Sequence, residues 1–216
     1  MTALIYVIEK EQIRLAMDTL IVSADDKLPL EYSKKFVTLP HVNAVIAGTG
    51  LAEFIYSWFF HLENSMDGIG FDQLIESSPS CLLHLERQCE NFEITDSTIY
   101  QFGYSEQAQC YAGFAFRSPK QWVAERLAYD SLGYKPQVEL PQVNDVNQRV
   151  FVEIMAEQRR VDLSRPVVDR VGIGGDVHLV TMRGGSITVE RLHRFEGYED
   201  DLRIMEQKRK TANSNS

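Results

Sequence analysis

A threonine, an aspartate and a pair of lysines near the start of this chain are residue types that together can cleave an amide bond. Thr2 follows Met1 directly, and Asp18, Lys34 and Lys35 come later. If Met1 is removed, Thr2 carries a hydroxyl nucleophile and a free α-amine, whose pKa of about 7.7–8.0 suits a general base at cellular pH. A lysine cation near Thr2 would stabilise the alkoxide and keep the amine deprotonated, and Asp18 would hold that cation in place.

A short glycine-rich turn could supply the remaining part of such a site. Gly48, Thr49 and Gly50 lie between a predicted apolar strand and an apolar helix predicted over about 51–62. Backbone N–H groups at the start of a helix can stabilise a developing oxyanion, and glycine allows a substrate carbonyl to approach closely. The same turn could instead bind a small anion, which would make this a small-molecule-binding domain.

Composition and charge exclude several other classes of protein. The 216 residues are enough for one sizeable domain, and the net charge of −9 argues against nucleic-acid binding. Three cysteines without a CxxC pair argue against disulfides and structural zinc, and they favour a reducing cytoplasm. The five histidines lack metal-ligand spacing, so we expect neither a metal nor an organic cofactor. We also expect no membrane partner, because there is neither a long apolar run nor a secretion signal.

The periodicity of apolar residues predicts long, adjacent β-strands rather than alternating strands and helices. Strands are expected at 3–8, 13–18, 34–39, 42–47, 97–104, 109–117, 176–182 and 186–193. Helices are expected at about 51–62, 71–90, 118–127 and 146–161, with Pro79 breaking or kinking the second. Segments 19–33 and 131–144 are predicted as loops. We therefore expect antiparallel sheets with helices outside them, in a single domain over 1–207 followed by a polar, disordered tail over 208–216.

In this order, the residues resemble a known family. Thr2, Asp18, Lys34-Lys35-Phe36 and Gly48-Thr49-Gly50 are similar to the motifs of proteasome β-type subunits, which are N-terminal-nucleophile (Ntn) hydrolases. The resemblance is clearest over residues 2–62 and returns at Gly174-Gly175. It implies an α+β fold of the four-layer αββα type, a sandwich of two antiparallel sheets between helical layers.

The resemblance also assigns roles to individual residues. It implies that Thr2 is the nucleophile and that Asp18 and a lysine complete the catalytic set. The family pattern places the lysine second in its pair and so favours Lys35, whereas counting residues from Thr2 favours Lys34. Gly48, Thr49 and Gly50 would provide the oxyanion-binding backbone.

The chain departs from the family pattern in its last third. Members of the family usually have an Asp, and a Ser three residues later, directly before the late Gly174-Gly175 pair. Here Arg170 and Ile173 occupy those positions, and Asp169 is one residue away from the aspartate position. Asp169, Gly174 and Gly175 are therefore the supporting candidates. Ser131-Leu132-Gly133 is the candidate for the family's Ser-Gly-Ser segment.

Two functions follow as hypotheses. The first is an N-terminal threonine hydrolase that cleaves peptides or a small amide after removal of Met1. Because rings are usual in the family, we expect a homo-oligomer, and the aromatic run Trp58-Phe59-Phe60 could serve the core or an interface. The second is a catalytically inactive ring or scaffold subunit, which the departures at Arg170 and Ile173 favour. The sequence identifies neither the substrate nor an ATP-driven partner.

Overall fold

Two five-stranded antiparallel sheets form the centre of the molecule. A computed structural model describes residues 2–23, 25–65, 68–89, 94–139 and 146–214. The first sheet consists, in spatial order, of Leu132–Lys135 (β10), Leu4–Ile8 (β1), Gln12–Asp18 (β2), Asp176–Arg183 (β11) and Ser186–Arg194 (β12). The second consists of Phe36–Leu39 (β5), Ala44–Thr49 (β6), Thr98–Ser105 (β7), Cys110–Arg117 (β8) and Ala124–Arg126 (β9). A separate two-stranded sheet pairs Leu20–Val22 (β3) with Pro29–Tyr32 (β4).

The apolar residues of each strand alternate between the two faces of its sheet, and both faces are covered. Between the sheets, Leu4 and Leu15 of the first sheet share a buried cluster with Val45 and Phe102 of the second. Residues of opposite parity point away from this central layer, where helices cover them. The helices are Ala52–Ser65 (α1), Phe71–Gln88 (α2), Gln148–Ser164 (α3) and Tyr198–Ser214 (α4).

The outer layers are held by two further apolar clusters. Ile46 of β6 is buried together with Trp58 of α1 and Leu82 of α2, and Ile5 of β1 is buried together with Phe151 of α3. The layers therefore run in the order α1 and α2, second sheet, first sheet, α3. This arrangement confirms the predicted α+β fold and its αββα layering.

The aromatic run on α1 is divided between core and surface. Trp58 and Phe59 are buried in the cluster under the helix, whereas Phe60 is 68% exposed. Helix α2 continues through Pro79, and Leu74 and Leu82 on either side of the proline are fully buried, so tertiary packing outweighs the expected break.

Several short elements differ from the sequence-based expectations. The predicted loop 19–33 contains β3 and β4, and the predicted loop 131–144 contains β10 and extends beyond the described residues. In place of a helix over 118–127, the chain forms a 3-10 turn at Ser118–Lys120 followed by the edge strand β9. Such short strands form through pairing with distant segments, so their own sequence carries little signal.

The C-terminal segment is also more ordered than expected. Helix α4 includes residues 208–214, which the polar composition predicted to be disordered. Its start is anchored by Tyr198, whose ring stacks on that of Tyr32 with centroids 4.3 Å apart, and the Tyr32 hydroxyl donates to Asp201. Further along the helix, the Met205 side chain is buried. Within the described residues, no helix is both long and apolar enough to cross a membrane.

Candidate active site

A buried ion pair lies beside the start of β1, the N-terminal strand of the first sheet. Asp18 is the last residue of β2, and Lys35 directly precedes β5. The Lys35 Nζ atom donates to both carboxylate oxygens of Asp18, each at 2.9 Å. The Asp18 side chain is 0% exposed, and the Lys35 side chain is 6% exposed. Removing two charges from water is costly, and this symmetric contact offsets only part of that cost.

Two backbone amides complete the surroundings of the Asp18 carboxylate. The N–H of Ala3 donates to Oδ1 at 3.0 Å, and the N–H of Gly174 donates to Oδ2 at 3.2 Å. Asp18 therefore joins the residue after Thr2, the lysine, and the loop that leads into β11. The carboxylate therefore holds Lys35 and the N-terminal strand side by side.

Burial makes Lys35 chemically unusual. Loss of hydration lowers the pKa of its ammonium group, while the charge of Asp18 and the hydrogen bonds to it act in the opposite direction. A lysine with a lowered pKa exchanges its proton more readily near neutral pH. Lys34, by contrast, has its side chain exposed to solvent. The structure thus places Lys35, and not Lys34, against Asp18.

Thr2 and Lys35 lie in the wall of the same cleft. Thr2 is 6% exposed, and the cleft has a volume of about 380 Å³. Its opposite walls are formed by the β3–β4 hairpin and by the start of α1. The cleft is lined by Thr2, Ile21, Val22, Ser23, Lys27, Leu30, Lys35, Gly48, Gly50, Leu51, Ala52, Glu53, Ile55 and Tyr56. A substrate in this cleft would therefore meet both Thr2 and Lys35.

The glycine-rich turn brings backbone to the edge of the cleft. Gly48 and Gly50 line it, whereas the Thr49 side chain is buried, so Thr49 can contribute only its backbone. Gly50 has φ of +121°, and a Cβ there would lie 2.4 Å from Ser97 Oγ. Ser97 accepts a hydrogen bond from the N–H of Leu51 at 3.1 Å and so fixes the entry into α1. The turn therefore requires glycine at position 50.

The late Gly174-Gly175 pair also belongs to the site. Besides donating to Asp18, Gly174 accepts hydrogen bonds through its carbonyl from the N–H groups of Thr19 and Leu20. Gly175 has φ of +76°, and a Cβ there would lie 2.3 Å from Thr19 Oγ1. The loop therefore lies tightly against the segment that follows Asp18.

The residues that replace the family's Asp and Ser do not supply their chemistry. Arg170 donates to the carbonyls of Leu163 and Arg165 at the end of α3, and Ile173 is buried in the apolar cluster beside that helix. Asp169 is exposed at the end of a 3-10 turn. The structure therefore brings Gly174 to Asp18 and Gly175 against Thr19, but it leaves the Asp169 side chain at the surface.

The segment Ser131-Leu132-Gly133, the candidate for the family's Ser-Gly-Ser segment, does not lie beside Thr2. In the pairing of β1 with β10, Leu4 lies opposite Lys135 and Val7 lies opposite Leu132. Ser131 consequently lies towards the far end of β1, away from Thr2. The chain reaches the level of Thr2 only after Lys135.

The sequence-based approach missed a polar pair on α3. Gln158 and Asp162 are buried, Gln158 donates to the carbonyl of Pro136 at 2.8 Å, and Asp162 accepts from the N–H groups of Val171 and Gly172. They continue the i, i+4 stripe of the partly buried Val150 and the buried Ile154, so polar residues at core-facing positions of the helix were the available signal.

Comparisons with known proteins place this geometry in a structural context. No protein-family model matches the chain, and no curated protein does. Solved structures do match over their whole length. Anbu (ancestral beta-subunit) from Yersinia bercovieri is similar with a TM-score of 0.63 and 11% identity, covering 99% of this chain and 95% of that one. The chain has the fold of a proteasome β-type subunit.

A second solved structure agrees. An Anbu (Gly-1) mutant from Hyphomicrobium sp. strain MC1 has a TM-score of 0.62 and 11% identity, covering 100% of this chain and 99% of that one. At this identity the likeness shows the Ntn hydrolase fold and leaves the chemistry to the residues themselves. The resemblance inferred from Thr2, Asp18 and the glycine-rich turn is thus confirmed at the level of the fold.

Proposed function

We propose that this protein is an N-terminal threonine hydrolase that cleaves amide bonds, with peptides as its substrates. The observation that carries the proposal is the buried contact of Lys35 with Asp18, next to Thr2 at the wall of an open cleft. A buried lysine with a lowered pKa beside a hydroxyl residue in a cleft is typical of a catalytic site. Of the two charged groups Lys35 lines the cleft, and a buried ion pair is by itself weak evidence for a purely stabilising role.

The proposed reaction begins with removal of Met1, which frees the α-amine of Thr2. That amine takes the proton of the Thr2 hydroxyl as the oxygen attacks the substrate carbonyl, and Lys35 stabilises the developing negative charge. Backbone N–H groups of the turn Gly48–Gly50 would stabilise the oxyanion. The amine then gives its proton to the leaving nitrogen, and an ester to Thr2 remains.

Water completes the cycle. The α-amine of Thr2 takes a proton from a water molecule, whose oxygen attacks the ester carbonyl and releases the carboxylic acid. The proton returns to the threonine oxygen as the ester bond breaks. No step in this scheme calls for a metal or an organic cofactor.

The cleft favours an apolar side chain on the acyl side of the scissile bond. Ile21, Val22, Leu30, Ile55 and Tyr56 line most of its wall. Its volume of about 380 Å³ can accommodate a leucine or phenylalanine side chain together with adjacent peptide backbone. Lys27 and Glu53 also line the cleft, so both signs of charge are available to the flanking parts of a peptide.

Assembly and location are parts of the same proposal. One similar structure is that of an ancestral β-subunit, and we propose that this chain likewise forms a homo-oligomer. We place it in the cytoplasm because its three cysteines are all unpaired, which suits a reducing compartment.

The alternative is a non-catalytic subunit with the same fold. It is favoured by Ile173, a buried apolar residue where the family has a hydroxyl that supports proton transfer. It is opposed by the cost of burying Lys35 and Asp18, which a scaffold subunit has no need to bear. The two functions make opposite predictions for the reactivity of Thr2.

The test is an intact-mass spectrum before and after treatment with a peptide epoxyketone, an electrophile that reacts with both the hydroxyl and the amine of an N-terminal threonine. We expect the chain to begin at Thr2 and to gain one label, with Thr2→Ala unlabelled but equally stable. A matched Thr188→Ala variant on the exposed strand β12 should label like the original protein. A free Thr2 that does not react would refute the hydrolase and support the scaffold subunit.

A further inference from the structure

A buried carboxylate on α3 has no part in the chemistry described above. Asp162 is 2% exposed and lies two residues before the end of the helix. Its Oδ1 accepts a hydrogen bond from the N–H of Val171 at 2.7 Å, and its Oδ2 accepts one from the N–H of Gly172 at 2.9 Å. Both oxygens are therefore committed to the loop that follows the helix.

The position of Asp162 is unfavourable for helix stability alone. A negative charge near the C-terminal end of a helix interacts poorly with the helix dipole, and burial adds a desolvation cost. Over the described ranges, no lysine or arginine forms an ion pair with it, since the nearby Arg170 donates to the carbonyls of Leu163 and Arg165. A residue that breaks local rules in this way usually serves a site elsewhere.

The loop held by Asp162 leads directly to the Asp18–Lys35 pair. Two residues after Gly172, the N–H of Gly174 donates to Asp18 Oδ2 at 3.2 Å. The loop also packs against the cleft wall, because a Cβ at Gly172 would lie 2.6 Å from the side chain of Val22. Gly172 has φ of +80°, which is only one of the many backbone conformations open to a glycine in a free chain. The two hydrogen bonds to Asp162 thus fix the loop at the point where it meets the Asp18–Lys35 pair.

We propose that Asp162 is a positioning residue of the Thr2 site. It acts through the loop on Gly174, through Gly174 on Asp18, and through Asp18 on Lys35. The proposal rests on the hydrolase function and adds an element outside the Thr2, Asp18 and Lys35 set. It also explains how the loop keeps its position although Arg170 and Ile173 replace the family's Asp and Ser. The loop is held by a side chain of the helix rather than by polar side chains of its own.

The test compares Asp162→Asn with Asp169→Asn, a matched control that makes the same change at an exposed position near the same loop. Asparagine keeps one acceptor but turns an NH₂ group towards the second amide N–H. We measure capture of Thr2 by the peptide epoxyketone at increasing concentrations, which separates the first-order capture rate from the apparent binding constant. Asp162→Asn should lower the capture rate about tenfold or more and change the binding constant less than about threefold. Asp169→Asn should change neither.

Three results would overturn the proposal. The first is a capture rate of Asp162→Asn within about twofold of the original protein, even if its melting temperature falls, since that is the behaviour of a merely structural residue. The second is an equal loss of capture rate in Asp169→Asn, which would indicate a general charge effect. If Asp162→Asn does not fold, the same measurement is made on Asp162→Glu, which keeps the charge but displaces the carboxylate. The third contradicting result is then a capture rate of Asp162→Glu within about twofold of the original protein.

Failure of the hydrolase function itself would be recognised separately. If the original protein begins at Thr2 and is not captured, the proposed function is wrong, and the loop is then tested by hydrogen exchange at the Gly174 amide. Positioning by Asp162 predicts that Asp162→Asn accelerates that exchange about tenfold or more while Asp169→Asn does not. Unchanged exchange would overturn the role of Asp162 independently of catalysis.

Discussion

Replacing one lysine of the Lys34-Lys35 pair should have a large effect and replacing the other almost none. Lys35→Met removes both hydrogen bonds from Nζ to Asp18, each 2.9 Å long, and leaves a fully buried carboxylate with the amides of Ala3 and Gly174 alone. Removing one partner of a buried ion pair typically costs about 3–5 kcal/mol. Because two amide donors remain and the carboxyl can take up a proton, we expect about 2–4 kcal/mol.

That loss can be measured by thermal and urea denaturation. For a chain of this length, 1 kcal/mol corresponds to roughly 2–4 °C, so Lys35→Met should lower the melting temperature by roughly 5–15 °C. Lys34→Met changes an exposed side chain and should stay within about 0.5 kcal/mol. Capture of Thr2 by the epoxyketone should fall about a hundredfold or more in Lys35→Met and remain unchanged in Lys34→Met.

A double variant separates stability from chemistry. Asp18→Asn combined with Lys35→Met removes the orphaned charge, so part of the lost stability should return, whereas capture of Thr2 should not. Equal melting temperatures for Lys34→Met and Lys35→Met would contradict the buried ion pair. Normal capture by a folded Lys35→Met protein would show that the lysine has no role in activating Thr2.

Two further predictions concern the surroundings of the site. Gly50→Ala should destabilise the protein by about 2–4 kcal/mol, because a Cβ there meets Ser97 Oγ at 2.4 Å and φ is +121°; a urea midpoint equal to that of the original protein would argue against this turn. The hydrogen bond from Arg194 lowers the pKa of Asp176, so this pair stabilises the fold above the ordinary pKa of an aspartate, and the contribution is lost as pH falls through the lowered value. Asp176→Asn should therefore unfold more easily than the original protein at pH 7, and the difference should disappear in strong acid; a difference independent of pH would contradict this assignment.

The comparison of Lys34 with Lys35 illustrates how far the sequence could go. In the strand predicted over 34–39, two adjacent lysines would point to opposite faces, so only one could face Asp18. The count from Thr2 and the family pattern favoured different members of the pair. The choice depends on where the strand begins relative to the β3–β4 hairpin. The preceding segment was predicted as an irregular loop, and pairing between Leu20 and Tyr32 within that segment became visible only in the folded chain.

Short edge strands and the C-terminal helix were the least predictable elements. Strand β10 has four residues and exists because it pairs with β1, and α4 is a polar helix that is held by Tyr198 on Tyr32. Neither has a strong local pattern, since their stability comes from partners far away in the chain.

The amino-acid sequence by itself determined the antiparallel layered fold, the order Thr2, Asp18, lysine pair and glycine-rich turn, and the need for glycine beside the site, because local periodicity and residue chemistry express these properties directly. Only the tertiary structure decided which lysine meets Asp18 and that Gly174 completes the surroundings of that carboxylate. The same is true of Asp162, which holds the loop between α3 and Gly174. Asp18 lies 17 residues from Lys35 and 156 from Gly174, and Asp162 meets Val171 only across the end of α3. The energy of these contacts comes from burial and directed hydrogen bonds, which exist only once the sheets and α3 have packed.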